Sequence, residues 1–273
     1  VIREIESPKG YVLSEEEIAV TIGEVDEIVE ISLVNYFIRG SISLTKVDKD
    51  YPDNKLTGAV FEVYSDTNGD GKLDKDDALL GTMTEMEGGI YQMKELRYGK
   101  YLVREKTAPT GYILDENVYP VSIEENGKTY TVENEAGKGF LNEAQKGNLK
   151  IVKTSSDGKV EGFSFRITGV NYDQTFKTDR NGEISIEGLR IGEYTVSEVN
   201  DKASAGYILP ADKQASVQTG ATTIVQMHNE LRDTPKTGDD FNPALWVSLA
   251  AAFTIGAGVL GFLGIKGKKK KED

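Results

Sequence analysis

The chain has 273 residues, a formal net charge of −13, no Cys and a single His. The lack of Cys excludes disulfides and thiolate metal sites, and one His cannot build a multi-His metal centre or readily serve a catalytic triad. Residues 266–273 carry five Lys and two acids, so the remainder of the chain has a net charge of −16. Such an acidic body repels nucleic acid and anionic membranes. The composition therefore favours an extracellular, non-enzymatic protein.

Three repeated units follow one another along the chain. Each has a strand ending in Glu, then a Gly-Tyr motif, then a strand ending in Asn; the Glu–Asn pairs are Glu4 and Asn35, Glu105 and Asn142, and Glu198 and Asn229. Two units also show their beginnings, with Gly six residues before Lys46 and before Lys153. We define module one as 1–37, module two as 40–143 and module three as 147–230. Module one is interpreted as the C-terminal remnant of a module whose beginning precedes this chain.

Short alternating runs separated by Gly, Asn and Asp predict antiparallel strands throughout the three modules. The fold class is therefore predicted to be all-β, with tandem Ig-like or prealbumin-like sandwiches. Side chains in a strand alternate between its two faces. Lys46 shares a face with Ile42 and Leu44, and the equivalent Glu and Asn also share faces with apolar residues. Each complete module is thus expected to point one Lys, one Glu and one Asn inward.

The modules resemble the prealbumin-like B-type repeats of Gram-positive collagen-binding adhesins and pilins. The resemblance rests on an early Lys, Gly58-Ala-Val-Phe, the run from Gly99-Lys-Tyr to Gly111-Tyr, and a final strand ending in Asn. Module three has a two-residue insertion before Gly206 and lacks the Pro of that run. The resemblance implies intramolecular isopeptide bonds Lys46–Asn142 and Lys153–Asn229, promoted by Glu105 and Glu198. Glu4 and Asn35 would be the pair of module one, with their Lys upstream.

The chemistry of buried ions is consistent with such bonds. Burying isolated charges is costly, and the usual outcome is a shifted pKa and a neutral group. A neutral Lys amine is a nucleophile, and a protonated Glu can polarise the Asn carbonyl and carry protons as ammonia leaves. The alternative is a buried Lys–Glu ion pair with a hydrogen-bonded Asn, which requires no reaction.

A loop in module two has the spacing of a calcium-binding loop. Oxygen-bearing side chains occupy loop positions 1, 3, 5, 9 and 12, and position 7 would offer only a backbone carbonyl; these residues are Asp66, Asn68, Asp70, Asp74, Asp77 and, at position 7, Lys72. Oxygen ligands and a Gly at position 6 are typical of Ca²⁺ loops. A solvated acidic turn is the alternative interpretation.

The C-terminal part of the chain predicts attachment to the cell wall. Residues 231–242 form a linker that contains Thr234-Pro235-Lys236-Thr237-Gly238, residues 243–265 are predicted to form a transmembrane helix, and residues 266–273 are a basic cytoplasmic tail. This order resembles the sortase sorting signal Leu-Pro-x-Thr-Gly, with Thr in the Leu position. It implies that a sortase cleaves after Thr237 and passes it to an amine of peptidoglycan or of another pilus subunit. An ordinary single-pass anchor is the alternative.

Two functions follow from these interpretations. The first is a structural stalk of a Gram-positive cell-wall protein, inserted in the membrane before sortase cleavage and stiffened by internal crosslinks. The second is an adhesin or a minor pilus subunit, with a host extracellular matrix protein as a further partner. Neither Tyr51-Pro52 nor Tyr119-Pro120 is followed by Lys, so the lysine motif of a polymerising major pilin is absent.

Overall fold

The computed structural model describes residues 1–233, and every regular element in this range is a β-strand. The prediction of an all-β protein is therefore confirmed for this part of the chain. None of the described residues forms a helix long and apolar enough to cross a membrane. The predicted transmembrane helix at 243–265 and the basic tail at 266–273 lie outside the described residues.

Module two is a sandwich of two sheets. Its strands are β3 (Arg39–Asp48), β4 (Val60–Ser65), β5 (Ala78–Thr82), β6 (Thr84–Met86), β7 (Ile90–Arg97), β8 (Gly99–Thr107), β9 (Val118–Ile123), β10 (Thr129–Thr131) and β11 (Phe140–Asn142). One sheet has the order β10-β3-β7-β6, with β11 also paired to β3, and the other has the order β5-β4-β8-β9. Between them Phe61 packs edge-on against Tyr91 and Phe140, at centroid distances of 5.1 and 5.0 Å. The inward faces of the alternating strands thus form one apolar core.

Module three repeats this architecture. Its strands are β12 (Lys146–Ser155), β13 (Ser164–Gly169), β14 (Tyr172–Lys177), β15 (Glu183–Arg190), β16 (Gly192–Glu198), β17 (Tyr207–Ile208), β18 (Lys213–Val217) and β19 (Thr222–Leu231). The sheets are β15-β12-β19-β17 and β14-β13-β16-β18, and they enclose a separate core that includes Phe163, Phe165 and Tyr194. The two apolar cores share no residue, so each sandwich buries its own strands.

The first and last strands of each sandwich lie side by side and run parallel. In module three β19 pairs continuously with β12, whereas in module two the partner of β3 is interrupted between β10 and β11. From Thr131 to Phe140 the chain advances nine residues while its partner advances only three, from Ser43 to Lys46. The six extra residues loop out. They contribute to the longer Glu–Asn separation in module two, 37 residues against 31 in module three, although module three has two extra residues before Gly206.

The repeated Gly before each Lys is explained by a close approach of backbone. A Cβ at Gly147 would lie 2.0 Å from the carbonyl oxygen of Gln218, and one at Gly40 would lie 2.9 Å from the carbonyl oxygen of Lys128. Any side chain would therefore push the returning chain away from the start of β3 or β12. Glycine at these two positions lets the first strand accept its parallel partner.

Module one contains only the short pair β1 (Ile2–Arg3) and β2 (Glu17–Ile18). A further isolated bridge joins Tyr11 to Phe37, whose rings lie 4.6 Å apart. The same bridge recurs as Tyr112 with Ala144 and as the register pair Tyr207 with Leu231. In all three modules the Tyr of the Gly-Tyr motif therefore forms a β-bridge with the residue two positions after the Asn.

Candidate functional site

Module two brings its predicted Lys, Glu and Asn into direct contact. Lys46 lies on β3, Asn142 lies on the adjacent β11, and Glu105 lies on β8 in the opposite sheet. Glu105 pairs in register with Phe61 and Lys46 with Phe140, so these core aromatics flank the cluster. All three polar side chains are buried, with exposed fractions of 0%, 3% and 2% for Lys46, Glu105 and Asn142. The cluster therefore spans the interior from one sheet to the other.

The hydrogen bonds of this cluster orient the Asn carboxamide between the other two groups. The Nδ2 atom of Asn142 donates to both oxygens of Glu105, at 3.0 and 2.8 Å, and to the carbonyl of Ile113 at 2.9 Å. Lys46 Nζ donates to the Oδ1 atom of Asn142 and, at 3.0 Å, to the carbonyl of Phe140. The distance from Lys46 Nζ to Glu105 Oε1 is 3.7 Å. The amine thus faces the carbonyl side of the carboxamide, and the carboxyl group faces its nitrogen.

Burial changes the acid–base behaviour of the amine. Removal from water lowers the pKa of Lys46 to about 8, although the nearby charges of Glu105 and Asp115 act in the opposite direction. The Nζ atom also lies 4.9 Å from the ring centroid of Phe140. A pKa of about 8 leaves about a tenth of the amine neutral at pH 7, and the neutral amine is the state that can attack a carbonyl carbon.

Module three places the same residue types on equivalent strands, with different contacts. Lys153, Glu198 and Asn229 are buried on β12, β16 and β19. Asn229 Nδ2 donates to Glu198 Oε1 at 2.7 Å. Lys153 Nζ instead donates to the carbonyl of Thr154 at 2.5 Å and lies 4.2 Å from the ring centroid of Phe163. The structure therefore brings together the Glu and Asn of this module, whereas the amine hydrogen-bonds elsewhere.

Two buried oxygens in module three have no hydrogen-bond partner. They are Glu198 Oε2 and Asn229 Oδ1, and no other buried side-chain nitrogen or oxygen among residues 1–233 lacks one. Burial raises the pKa of Glu198, against the lowering effects of its hydrogen bond from Asn229 and of the Lys153 charge. Burial also lowers the pKa of Lys153. Both shifts favour the uncharged forms of the pair.

In module one the Glu–Asn contact is present without its Lys. Asn35 Nδ2 donates to both carboxyl oxygens of Glu4, at 2.7 and 2.9 Å, and to the carbonyl of Val12 at 3.4 Å. Both side chains are partly exposed. The contact between the Glu and the Asn thus recurs in all three modules.

A second buried cluster, absent from the sequence-based interpretation, joins modules two and three. Arg190 donates to both carboxylate oxygens of Asp48, at 2.6 and 2.8 Å, and to Asp50 at 3.0 Å. Tyr112 donates to Asp48 at 2.8 Å, and Asp48 is fully buried. Although burial raises the pKa of Asp48, hydrogen bonds from Arg190, Tyr112 and the Asp50 backbone outweigh this and hold it at about 2. Arg190 ends β15, and no local sequence pattern marks it as a junction residue.

The loop with calcium-type spacing uses its side chains as acceptors for its own backbone. Asp66 accepts N–H groups from Gly69 and Gly71 at 2.7 and 3.1 Å, and Asp77 accepts those of Thr67 and Asp74 at 3.0 and 2.9 Å. Within residues 1–233 the structure forms no group of three or more Asp, Glu, His or Cys side chains placed to hold one metal ion. Calcium binding at Asp66, Asn68, Asp70, Lys72, Asp74 and Asp77 stays a prediction.

His228 is exposed and contacts Thr154 Oγ1 at 2.8 Å and Glu230 at 3.0 Å, away from the buried Asn229. The predicted sortase motif, Thr234 to Gly238, lies outside the described residues.

Comparison with known proteins identifies the family. The model of the SpaA prealbumin-like fold domain matches residues 40–138 and 147–231, well over half of the chain. The chain belongs to this family. No curated protein matches the chain.

The chain shares its fold with a solved structure and has weaker similarity to others. The Bacillus anthracis TIE protein is 24% identical with a TM-score of 0.64; the match covers 84% of this chain and 41% of that one. This SpaA-domain chain therefore spans less than half the length of that protein. The minor pilin of Streptococcus agalactiae is 16% identical, with 72% and 98% of the two chains covered and a TM-score of 0.33. The Lactobacillus rhamnosus GG shaft pilin SpaA is 15% identical, with 71% and 98% covered and a TM-score of 0.32.

Proposed function

We propose that modules two and three form internal Lys–Asn amide bonds and serve as the stalk of a cell-wall-anchored surface protein. The observation that carries this proposal is the buried contact of Lys46, Glu105 and Asn142. The neutral Nζ of Lys46 would bond to Cγ of Asn142, the Cγ–Nδ2 bond would break, and ammonia would leave with a proton passed from Nζ through Glu105. The product amide has no charge, so the cost of burying the two ions disappears.

The same bond is proposed between Lys153 and Asn229 in module three, promoted by Glu198. There the Lys153 amine must turn away from the Thr154 carbonyl and towards the Oδ1 atom of Asn229, which has no hydrogen-bond partner. Each bond would join the first strand of a sandwich to the last, and so would close nearly the whole module into a covalent loop.

The intact mass of the purified protein tests this proposal. We expect a deficit of two ammonia molecules relative to the mass calculated from the sequence, and a deficit of one in either Lys46→Met or Lys153→Met. The double variant should have the calculated mass and is the matched control. A wild-type protein of full calculated mass would mean that both clusters are ordinary buried ion pairs, and the proposal would be rejected.

We further propose that a sortase joins Thr237 to an amine of the cell wall or of another pilus subunit. The order of Thr234-Pro235-Lys236-Thr237-Gly238, an apolar run and a basic tail supports this proposal. Replacing Gly238 with Ala should leave the protein held in the membrane and extractable with detergent, whereas wild type should be released only by wall hydrolases. A variant still linked to the wall would contradict the sortase proposal and leave the crosslink proposal untouched.

A further inference from the structure

In two of the three modules the promoting Glu accepts a hydrogen bond from a backbone N–H. The donor lies at the same sequence spacing from the Gly-Tyr motif in both modules. Four residues after Gly10, the N–H of Ser14 donates to Glu4 Oε2 at 2.7 Å. Four residues after Gly111, the N–H of Asp115 donates to Glu105 Oε2 at 2.8 Å. A hydrogen bond from a backbone N–H stabilises a carboxylate and favours its charged form.

Module three has Pro210 at this position, four residues after Gly206. Proline has no N–H to donate. The corresponding oxygen, Glu198 Oε2, is buried, and within residues 1–233 it has no partner at all. The missing donor therefore follows directly from the residue type at position 210, and it explains one of the two unsatisfied buried oxygens.

We propose that Pro210 is a positioning residue for the crosslink of module three: by withholding an N–H donor from Glu198, it keeps that carboxyl group protonated. This inference rests on the proposed function. A proton on Glu198 neutralises the carboxylate, whose Oε2 atom accepts no hydrogen bond. The protonated carboxyl group can also donate a hydrogen bond. The carbonyl oxygen of Asn229, which also lacks a partner, is the acceptor that such a donor can polarise.

Three other groups lie near Glu198 and influence its pKa. Lys153 on β12 favours the carboxylate, Asn229 on β19 also favours it by donating a hydrogen bond, and Asp201 after β16 disfavours it. Burial disfavours the carboxylate more strongly than any of these contacts changes it. The pKa of Glu198 is accordingly raised. A carboxyl group that lacks a backbone donor is expected to shift in this direction.

The reaction in module three then begins from an uncharged pair. Neutral Lys153 Nζ attacks Cγ of Asn229 while Glu198 lends its proton to the carbonyl oxygen. Glu198 then takes a proton from Nζ, and the proton lent to the carbonyl oxygen passes to Nδ2 as the carbonyl re-forms and the Cγ–Nδ2 bond breaks. Ammonia leaves, and Glu198 ends protonated as it began. The carboxyl group of Glu198 is thus regenerated. The amine of Lys153 and the carboxamide of Asn229 are converted into one amide and one ammonia molecule, with no atom gained or lost.

The first test measures the titration of Glu198 directly by carbon NMR of its carboxyl group. The Lys153→Met background is used because no bond can form there. Restoring a backbone donor with Pro210→Ala should lower the pKa of Glu198 by about one unit, the size expected of one charge-assisted hydrogen bond. An unchanged pKa would overturn the proposal, whether or not wild type forms its bonds.

Module two supplies the matched reciprocal control. In a Lys46→Met background, Asp115→Pro removes the backbone donor, whereas Asp115→Ala removes the same carboxylate and retains the N–H. The Glu105 pKa should be about one unit higher in Asp115→Pro than in Asp115→Ala. Equal values in the two variants would contradict the role assigned to this N–H.

The second test follows the loss of ammonia over time in freshly translated full-length protein. Pro210→Ala should form the module-three bond more slowly, by up to about tenfold, because lowering the pKa of Glu198 by one unit lowers its protonated fraction by at most tenfold. The module-two bond in the same molecule should keep its rate and serves as the internal standard. If wild type loses no ammonia, the proposed function fails, and the NMR titration alone still decides the role of Pro210.

Discussion

Modules two and three place identical residue types on equivalent strands, yet their buried clusters differ in contact. In module two the Lys46 amine reaches the Asn142 carboxamide, and every polar atom of the cluster has a partner. In module three the Lys153 amine donates to a neighbouring carbonyl, and two acceptors remain without donors. The comparison teaches that equivalent strand positions bury all three residues, while the residue four positions after the Gly of the Gly-Tyr motif decides whether the Glu receives a backbone hydrogen bond.

The chain on the two sides of the Gly-Tyr motif differs between the modules. In module two the carbonyl of Ile113 accepts a hydrogen bond from Asn142, and the N–H of Asp115 donates one to Glu105. Module three has two extra residues before Gly206 and Pro210 in place of the donor. The missing backbone group accounts for one of the two unsatisfied oxygens of module three, and the Lys153 amine that donates to Thr154 accounts for the other.

The largest expected effect comes from removing the promoting carboxyl group of one module at a time. Glu105→Ala should prevent the Lys46–Asn142 bond and lower the free energy of unfolding of module two on the order of 4 kcal/mol, by analogy with a disulfide that closes a long loop. Calorimetry combined with intact mass measures both effects, and Glu198→Ala should act only on module three.

Glu143→Ala is the control for this comparison, since Glu143 makes only an exposed ion pair with Lys49 at 3.1 Å. It should retain both bonds and change stability by less than about 1 kcal/mol. If Glu105→Ala kept its full ammonia deficit, the carboxyl group would not be the promoter.

The next largest effect concerns the junction between the modules. Arg190→Met leaves the buried Asp48 without its bidentate partner and should cost about 3 kcal/mol, because an unpaired buried charge is left behind. Arg166→Met is the matched control: Arg166 makes an equally bidentate pair with Asp173, at 2.8 and 2.6 Å, but in an exposed position. It should cost less than about 1 kcal/mol. Equal losses, measured by denaturant titration, would show that burial at the junction adds nothing.

Acid should weaken the same junction. The folded pKa of Asp48 is about 2, below the ordinary value of an Asp, so its contribution is complete above about pH 4 and is lost as the pH falls towards 2. The stability difference between wild type and Arg190→Met should therefore shrink by about 2 kcal/mol across this interval. A difference that stays constant down to pH 2 would mean that the Asp48 carboxylate is not stabilised by Arg190.

The smallest expected effect is that of calcium on module two. Millimolar Ca²⁺ should raise the free energy of unfolding by about 1 kcal/mol if the loop from Asp66 to Asp77 binds it with a dissociation constant near 0.1 mM, of the order found for weak extracellular sites. Asp66→Asn should abolish the increase, and module three, which has no such loop, is the internal control. If calorimetric titration with Ca²⁺ releases no heat of binding and the free energy of unfolding does not rise, the loop is only an acidic turn.

The sequence predicted the all-β fold because alternation along strands such as β3 is a local property. It also predicted that Lys46, Glu105 and Asn142 point inward, since parity along a strand decides which face a side chain occupies. Their mutual contact depends on the parallel pairing of β3 with β11, which the sequence did not predict, because its alternating runs indicated antiparallel strands throughout.

Other features could not be predicted from local pattern. The pair Asp48–Arg190 joins residues 142 positions apart, and its partners are set by how one sandwich abuts the next. The six-residue excursion between β10 and β11 appeared in the sequence only as a longer spacing. Pro210 was visible as a residue, but its meaning required knowing that its counterparts Ser14 and Asp115 donate their N–H groups to Glu.

The parallel pairing of first and last strands also determines how far the protein reaches. A chain that enters along β12 and leaves along β19 travels in the same direction both times, so it exits at the end opposite to its entry. Ten residues of extended strand span about 33 Å. Each sandwich therefore adds its full long dimension to the separation between whatever precedes it and whatever follows it, whereas an antiparallel return would bring the chain back to its starting level and add almost no height.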